Sequence, residues 1–115
     1  ELPHAIEEDM KRNGGYLRAD DFTDYEVKVL EPARISYRGD EILGIPVPGG
    51  GTTALQTFNI LENFDLPSLA SNSPEYLHLF IEAARHAFAD RYRYLGDPDF
   101  AGVPLSGILL SRFSR

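Results

Sequence analysis

Two neighbouring hydroxyl groups are the first residues in this chain whose type and position could support chemistry. Thr52 and Thr53 directly follow the run Gly49–Gly51. A threonine becomes a nucleophile when a base removes its proton, and its own α-amino group can be that base if it is an N-terminal residue. Both threonines are internal and lack a free α-amino group. We therefore expect their hydroxyls to cap a helix.

The glycine run before these threonines could bind an anion through backbone N–H groups, because a helix is predicted to begin there. A phosphate loop also needs a lysine, and a dinucleotide-binding loop needs the spacing G-x-G-x-x-G. Neither feature accompanies Gly49–Gly51. The run is therefore interpreted as a flexible turn that leads from a strand into a helix.

A third set of residues has the spacing of metal ligands. His78, Glu82 and His86 are four residues apart, so all three project from one face of a predicted helix. Imidazole and carboxylate groups are zinc ligands. The H-E-x-x-H order is absent, and this face lies opposite the predicted apolar face. We expect it to be solvated and predict no metal site. His4 in the first helix is expected to be exposed or to make a minor packing contact.

Charged residues cluster where the longest predicted helix ends. Asp90, Asp97 and Asp99 could supply an acid pair for catalysis. The structural alternative is that Asp97 caps a Gly-Asp-Pro turn and that Arg91 ties the helix end to this turn through a charge-assisted hydrogen bond. We favour the structural interpretation.

Helical spacing of apolar residues, together with helix start and stop signals, predicts four main helices. They cover residues 3–13, 52–63 and 73–94, and a last one begins at 105 and runs towards 113. A short helical turn is expected near Asp20 and Asp21. The third helix has the clearest start, because a serine cap at Ser73 precedes Pro74. Its predicted buried face comprises Leu77, Phe80, Ile81, Ala84, Ala87, Phe88 and Leu95.

Between the first two helices the apolar period changes to two, which is typical of half-buried strands. Tyr25, Val27 and Val29 alternate with polar residues, and the alternation resumes at 35–37 after Pro32. A tight turn at 38–40 leads to a second predicted strand over 41–47. We expect an antiparallel hairpin, and thus α+β architecture: a two-stranded antiparallel unit with about four helices.

Composition excludes several classes of function. The chain has 115 residues, the size of one domain, and no cysteine, so neither a disulfide nor a thiolate site can form. Its net charge of −7 repels a phosphate backbone, which argues against nucleic-acid binding. No apolar run reaches the roughly 20 residues of a membrane-spanning helix. Residues 1–11 lack the basic and apolar regions of a signal peptide.

Several short motifs are spread over nearly the whole chain. The most distinctive are EAARHAFADR at residues 82–91 and YLGDPDF at 94–100, followed by Val103-Pro104. Weaker ones are GGYL at 14–17 with Asp21-Phe22, YRG at 37–39, PVPGGG at 46–51 and NILE at 59–62. Together, in this order and at this spacing, they resemble the gamma-glutamyltranspeptidase family.

The resemblance implies a piece of an N-terminal-nucleophile hydrolase with an αββα sandwich. In that family a precursor cleaves itself, and the freed N-terminal threonine attacks the gamma-glutamyl group and passes it to water or an amino acid, with no cofactor. Residues 1–115 are similar to the C-terminal part of the large subunit, as one segment. The nucleophile would follow Arg115, and the substrate-binding arginine would precede Glu1. The resemblance therefore transfers no catalytic, cofactor-binding or metal-binding residue onto this chain, which alone is expected to be inactive.

One departure from the family pattern leaves the substrate open. The family commonly has PPPSSGG where this chain has Pro46–Gly51. Glutathione, another gamma-glutamyl compound or an acylase-type substrate such as a cephalosporin side chain all fit. The alternatives to an enzyme segment are a binding or oligomerisation module and a catalytically inactive homologue. The expected partner is the remainder of the enzyme, with self-association through an exposed apolar surface; similar enzymes are often periplasmic or extracellular.

Overall fold

Two strands, five α-helices and one short 3-10 helix form in residues 1–109, which are the residues that this computed structural model describes. The order is α1 (Leu2–Asn13), α2 (Ala19–Thr23), β1 (Ala33–Tyr37), β2 (Asp40–Gly44), α3 (Gly51–Leu61), the 3-10 helix (Leu66–Ser68), α4 (Pro74–Tyr94) and α5 (Leu105–Leu109). The predicted α+β class is confirmed. The predicted extension of α5 towards residue 113 lies outside the described residues.

The helix start and stop signals place the ends of α1 and α4 as predicted. Gly14 adopts the left-handed conformation with φ 73°, and the Gly15 N–H donates to the Met10 carbonyl at 2.8 Å, which ends α1. At the start of α4, the Ser73 hydroxyl accepts a hydrogen bond from the Tyr76 N–H at 3.2 Å. These local signals define the boundaries without help from distant parts of the chain.

β1 and β2 form the predicted antiparallel hairpin, in a register that pairs Ile35 with Ile42. Its two-residue turn has positive φ at both Arg38 (53°) and Gly39 (91°), the conformation whose twist suits a tight hairpin. Arg38 is anchored in this uncommon conformation, because its N–H donates to the Glu62 carboxylate at 2.9 Å. The hairpin therefore packs with its turn against the end of α3.

Two strand predictions were wrong in extent. β2 ends at Gly44 rather than at Val47, because the chain turns away from β1 towards α3. The alternating stretch 25–29 forms no strand with any part of residues 1–109, since neither β1 nor β2 pairs with it. An alternating stretch becomes part of a sheet only when a partner strand is present to pair with it.

Helix α3 lies at the centre of the described structure, with the hairpin on one side and α4 and α5 on others. Gly51, its first residue, approaches the preceding segment so closely that a Cβ there would lie 2.3 Å from the backbone N and O of Ile45. The predicted strand-to-helix turn is present, but close packing holds its glycines in place. The residues of α3 that this arrangement buries are Thr52, Thr53, Leu55, Gln56, Thr57, Asn59 and Leu61.

Of the predicted buried face of α4, Ala87 is buried as predicted, whereas the large apolar residues of that face remain exposed. The helix packs against α3 through Ala83 and Ala87, which are 2% and 0% exposed. Phe80 and Ile81 remain 46% and 53% exposed, because small alanines allow the two helices to approach closely and the bulky side chains lie about a quarter-turn away. The surface formed by Leu77, Phe80, Ile81, Ala84 and Phe88 is called the α4 apolar face below.

No helix within residues 1–109 is long and apolar enough to span a lipid bilayer.

Candidate functional site

The two candidate threonines lie inside the first turn of α3 rather than at its cap. Gly50 is the N-cap residue, and no side chain makes a capping hydrogen bond there. The prediction that the threonine hydroxyls cap the helix is therefore wrong, because the helix begins one residue earlier than expected. Thr52 is fully buried, and its hydroxyl oxygen has no hydrogen-bond partner within residues 1–109.

Arg91 contacts the start of α3 and not the turn that follows α4. Its Nη1 donates to the Thr53 hydroxyl oxygen at 3.3 Å. The predicted bond from Arg91 to the Gly-Asp-Pro turn is therefore wrong, since the side chain leaves α4 on the side that faces α3. The other half of that prediction is confirmed: the Asp97 carboxylate accepts from the Asp99 N–H at 3.0 Å and stabilises the turn.

Asp99 itself has a partner that lies far away in the sequence. Its carboxylate forms an ion pair with the Lys28 ammonium group. This contact raises the pKa of Lys28 above its ordinary value, because hydrogen bonding to Asp99 favours the charged form. The carboxylates of Asp97 and Asp99 therefore have different partners and are not bonded to each other, as an acid dyad would require.

One turn along from Thr53, a second polar bond joins α3 to α4. The Gln56 Nε2 donates to the Asp90 carboxylate at 2.5 Å, and Gln56 is buried. Thr53, Gln56, Asp90 and Arg91 thus form two parallel cross-helix contacts, called here the α3–α4 polar cluster. The sequence analysis singled out three of the four and missed Gln56. Its spacing of three residues from Thr53, which places both side chains on one face of α3, was the available signal.

A second buried amide connects α3 with α5. The Asn59 Nδ2 donates to the Leu109 carbonyl at 3.0 Å. This hydrogen bond gives a partner to a carbonyl in the last described turn of α5. Asn59 belongs to the NILE motif, which the sequence analysis used only as a family signal. Its role in fixing a neighbouring helix could not be read from the sequence, because it depends on the course of the chain fifty residues later.

A cavity of about 680 Å³ opens beside this cluster, between α3, α4 and α5. Its polar lining consists of Gln56, Glu82, His86, Asp90 and Tyr94; the apolar lining includes Ile60, Leu79, Ala83 and Ile108. The one hydroxyl among the lining residues is the phenol of Tyr94, and it forms no hydrogen bond with His86, Glu82 or Asp90. The cavity wall in the described part of the chain can bind polar groups but offers no nucleophile–base pair.

The histidine stripe is only partly the solvated face that was predicted. His78 and His86 are exposed, whereas Glu82 is half-buried at the edge of the cavity. Glu82 pairs with the Arg85 guanidinium at 2.6 Å. Within residues 1–109 no three His, Cys, Asp or Glu residues lie close enough together to hold a metal ion. His4 is exposed, as expected.

Comparison with known proteins decides what this arrangement belongs to. A sequence model of the family described as gamma-glutamyltranspeptidase matches residues 1–114. The chain belongs to this family. The Glutathione hydrolase proenzyme of Escherichia coli K12 is 35% identical over 115 residues, which are 99% of this chain and 20% of that protein. The Acylase ACY 1 proenzyme of Pseudomonas sp. SE83 is 40% identical over 109 residues, which are 94% of this chain and 20% of the acylase.

Solved structures of family members have the same backbone arrangement. The gamma-glutamyltranspeptidase of Helicobacter pylori superposes with a TM-score of 0.89 and 37% identity, over 100% of this chain and 33% of that one. The cephalosporin acylase of Bacillus halodurans gives a TM-score of 0.84 and 30% identity, over 98% of this chain and 21% of the acylase. The resemblance seen in the motifs is confirmed. The chain spans about a fifth of the length of the two proenzymes that it matches.

Proposed function

We propose that the chain is a segment of an enzyme that hydrolyses or transfers gamma-glutamyl groups, and that the nucleophilic threonine of this enzyme lies outside these 115 residues. The single observation that carries the proposal is the family match over residues 1–114 in a chain that covers only about a fifth of its relatives. The motifs quoted from 82–91 and 94–100 occur in α4 and directly after it, where they form helix contacts and a turn. Their part in the enzyme is to hold a scaffold in place.

The threonines of α3 support this assignment by what they lack. An N-terminal threonine nucleophile uses its own α-amino group as the base. The backbone nitrogens of Thr52 and Thr53 each form a peptide bond to the preceding residue, so neither threonine has a free α-amino group. Thr52 is also wholly buried. The Thr53 hydroxyl is hydrogen-bonded to Arg91. Neither hydroxyl can approach a substrate carbonyl, and no residue of this chain is assigned a catalytic, cofactor-binding or metal-binding role.

The remainder of the enzyme is the partner that the surface of this chain suits. The α4 apolar face presents two phenylalanines and two large aliphatic side chains, all of them at least two-fifths exposed. Contiguous apolar patches of this kind mark interaction surfaces. In the whole enzyme this face packs against polypeptide from outside the 115 residues. In the isolated chain the same kind of exposed surface drives self-association.

The test of the proposal uses the chain extended by the codons that follow Arg115 in its gene. The expected product is a precursor that cleaves itself, so that mass spectrometry detects a second chain beginning with threonine. Mutation of that threonine to alanine should abolish both the cleavage and the release of glutamate from a gamma-glutamyl anilide. A stop codon at this point, or an extension that contains no such threonine and has no activity, would sink the proposal.

A second candidate function follows from two of the comparisons. The Acylase ACY 1 proenzyme is 40% identical to this chain, and the Bacillus halodurans cephalosporin acylase has a TM-score of 0.84. PVPGGG at residues 46–51 also departs from the common PPPSSGG pattern. The extended protein should therefore be assayed in parallel with a cephalosporin amide. Hydrolysis of this amide without release of gamma-linked glutamate would favour the acylase function.

A further inference from the structure

The stretch 25–29, which the sequence predicts as a strand, has the exposure of a strand without a partner. Residues 25–32 run without a turn or bend, and no backbone hydrogen bond joins them to any other part of residues 1–109. Val27 is 81% exposed and Val29 is 96% exposed. Unpaired backbone groups next to exposed β-branched side chains are a template for strand addition. This stretch is called the edge segment below.

The ion pair of Lys28 determines which side of the edge segment faces the rest of the chain. Lys28 contacts Asp99 in the turn that follows α4. Side chains alternate in an extended chain, so Tyr25, Val27 and Val29 lie on the side opposite to Lys28. The apolar side of the edge segment therefore points away from this turn, and the turn cannot cover it.

The sequence of the edge segment is complementary to itself. We propose that two copies of this chain associate by antiparallel pairing of their edge segments about a two-fold axis at Val27. In this register Val27 faces the partner's Val27, Glu26 faces the partner's Lys28, and Tyr25 faces the partner's Val29. Each edge segment thus meets opposite charges and aromatic–aliphatic pairs, both of which stabilise cross-strand neighbours. The pairing rests on the proposed self-association and names the surface that carries it.

Neighbouring registers are disfavoured by the same side chains. A slip of two residues in one direction places Glu26 opposite the partner's Glu26, and a slip in the other direction places Lys28 opposite the partner's Lys28. A slip of one residue places Val27 opposite the partner's Lys28 and mixes the apolar and charged sides. The Lys28–Asp99 pair does not prevent association, because both side chains are about half exposed and an exposed ion pair contributes little.

Cysteine cross-linking tests the register directly, because the chain has no cysteine of its own. Val27→Cys should form a disulfide-linked dimer rapidly, since residues opposite each other in an antiparallel pair have Cα atoms about 4.5–5.5 Å apart. Val29→Cys is the matched control, because its two copies would lie about 13 Å apart along the strands. Mixing Val29→Cys with Tyr25→Cys should restore cross-linking as a mixed dimer.

Charge reversal provides a second measurement that needs no covalent bond. Glu26→Lys and Lys28→Glu should each raise the dimer dissociation constant several-fold in sedimentation, because each places like charges opposite one another. The double variant E26K/K28E should restore the original dissociation constant. Asp99→Asn is the control for loss of the internal ion pair, and it should leave the dimer intact.

The outcomes separate this inference from the proposed function. A dimer in which Val27→Cys cross-links no faster than Val29→Cys, and which charge reversal leaves unchanged, would overturn the edge pairing but keep self-association through another surface such as the α4 apolar face. A chain that is monomeric at every concentration would overturn both the edge pairing and the self-association. The edge segment would then pair with a strand from the rest of the enzyme. Activity of the extended protein is independent of either result.

Discussion

Helices α3 and α4 lie side by side, yet they are buried to very different extents. Most residues of α3 are buried, even polar ones such as Gln56 and Asn59, whereas α4 buries only Ala83 and Ala87 among its 21 residues. The neighbours of α3 are therefore present within residues 1–109. Helix α4 resembles a core helix of a larger protein whose further neighbours lie outside residues 1–109, and the edge segment likewise has no partner strand within these residues.

The largest expected effect concerns the core of α3. Leu55 is almost completely buried, so Leu55→Ala should lower the free energy of unfolding by about 2–5 kcal/mol in urea denaturation. Phe80→Ala on the α4 apolar face should cost much less, because nearly half of that side chain is in water in either state. Equal losses for the two variants would contradict the difference between the helices.

A smaller loss is expected when one bond of the α3–α4 polar cluster is broken. Asp90→Ala leaves the buried Gln56 amide without its partner, which should cost about 1–3 kcal/mol of unfolding free energy. The matched control is Glu8→Ala on the exposed side of α1, which should change little. If Asp90→Ala were no worse than the control, the polar contact between the two helices would not be part of the folded structure.

The second bond of the cluster should show coupling between its partners. Thr53→Val and Arg91→Ala each remove the same contact, so the double variant should be less destabilised than the sum of the two. The expected coupling energy is about 0.5–1.5 kcal/mol. Strictly additive losses would mean that Arg91 stabilises α4 through something other than Thr53.

How well the sequence predicts these features depends on how far apart the contacting residues lie along the chain. Ser73 and Gly14 mark helix ends through contacts with residues a few positions away, so both ends were predicted correctly. The hairpin was also predicted, because its turn at Arg38 and Gly39 is local. The predicted buried face of α4 was correct at Ala87 but wrong for its large side chains, because apolar periodicity identifies a face that can be buried and does not reveal whether the residues that cover it are in the same chain.

The candidate site shows the same limit. Arg91 and Asp90 were recognised as a charged cluster, but their partners, Thr53 and Gln56, are more than thirty residues earlier. Short-range reasoning assigned Arg91 to the nearest turn and was wrong. The capping role of Asp97 was predicted correctly because it is local: its carboxylate accepts from the N–H of Asp99, two residues later.

On the α4 apolar face, a charged substitution should alter solubility more than folding. Phe80→Asp should leave the unfolding free energy of the chain within about 0.5 kcal/mol, since exposed sites tolerate substitution. It should also increase solubility, which light scattering can measure. The control is Arg85→Asp on the polar side of α4. A loss of stability as large as that of Leu55→Ala would show that α4 is covered within the chain after all.

The smallest expected effect is the pH dependence of the link between the edge segment and the turn after α4. Asp99 raises the pKa of Lys28 in the folded chain, so the contribution of this pair is fully present below the ordinary lysine pKa of 10.5. It should disappear as the pH rises through the raised pKa of the folded state. Lys28→Gln should reduce this alkaline fall in melting temperature, and an unchanged slope would contradict the ion pair.

The claim on which the whole account depends is that the proposed transfer of gamma-glutamyl groups uses a threonine with a free α-amino group, which neither Thr52 nor Thr53 has. The most direct measurement is glutamate release from a gamma-glutamyl anilide by the purified 115-residue chain, with the glutathione hydrolase of Escherichia coli K12 as positive control. We predict no release above the buffer rate. Release that co-purifies with the chain and is lost in the variant T52A/T53A would contradict the account.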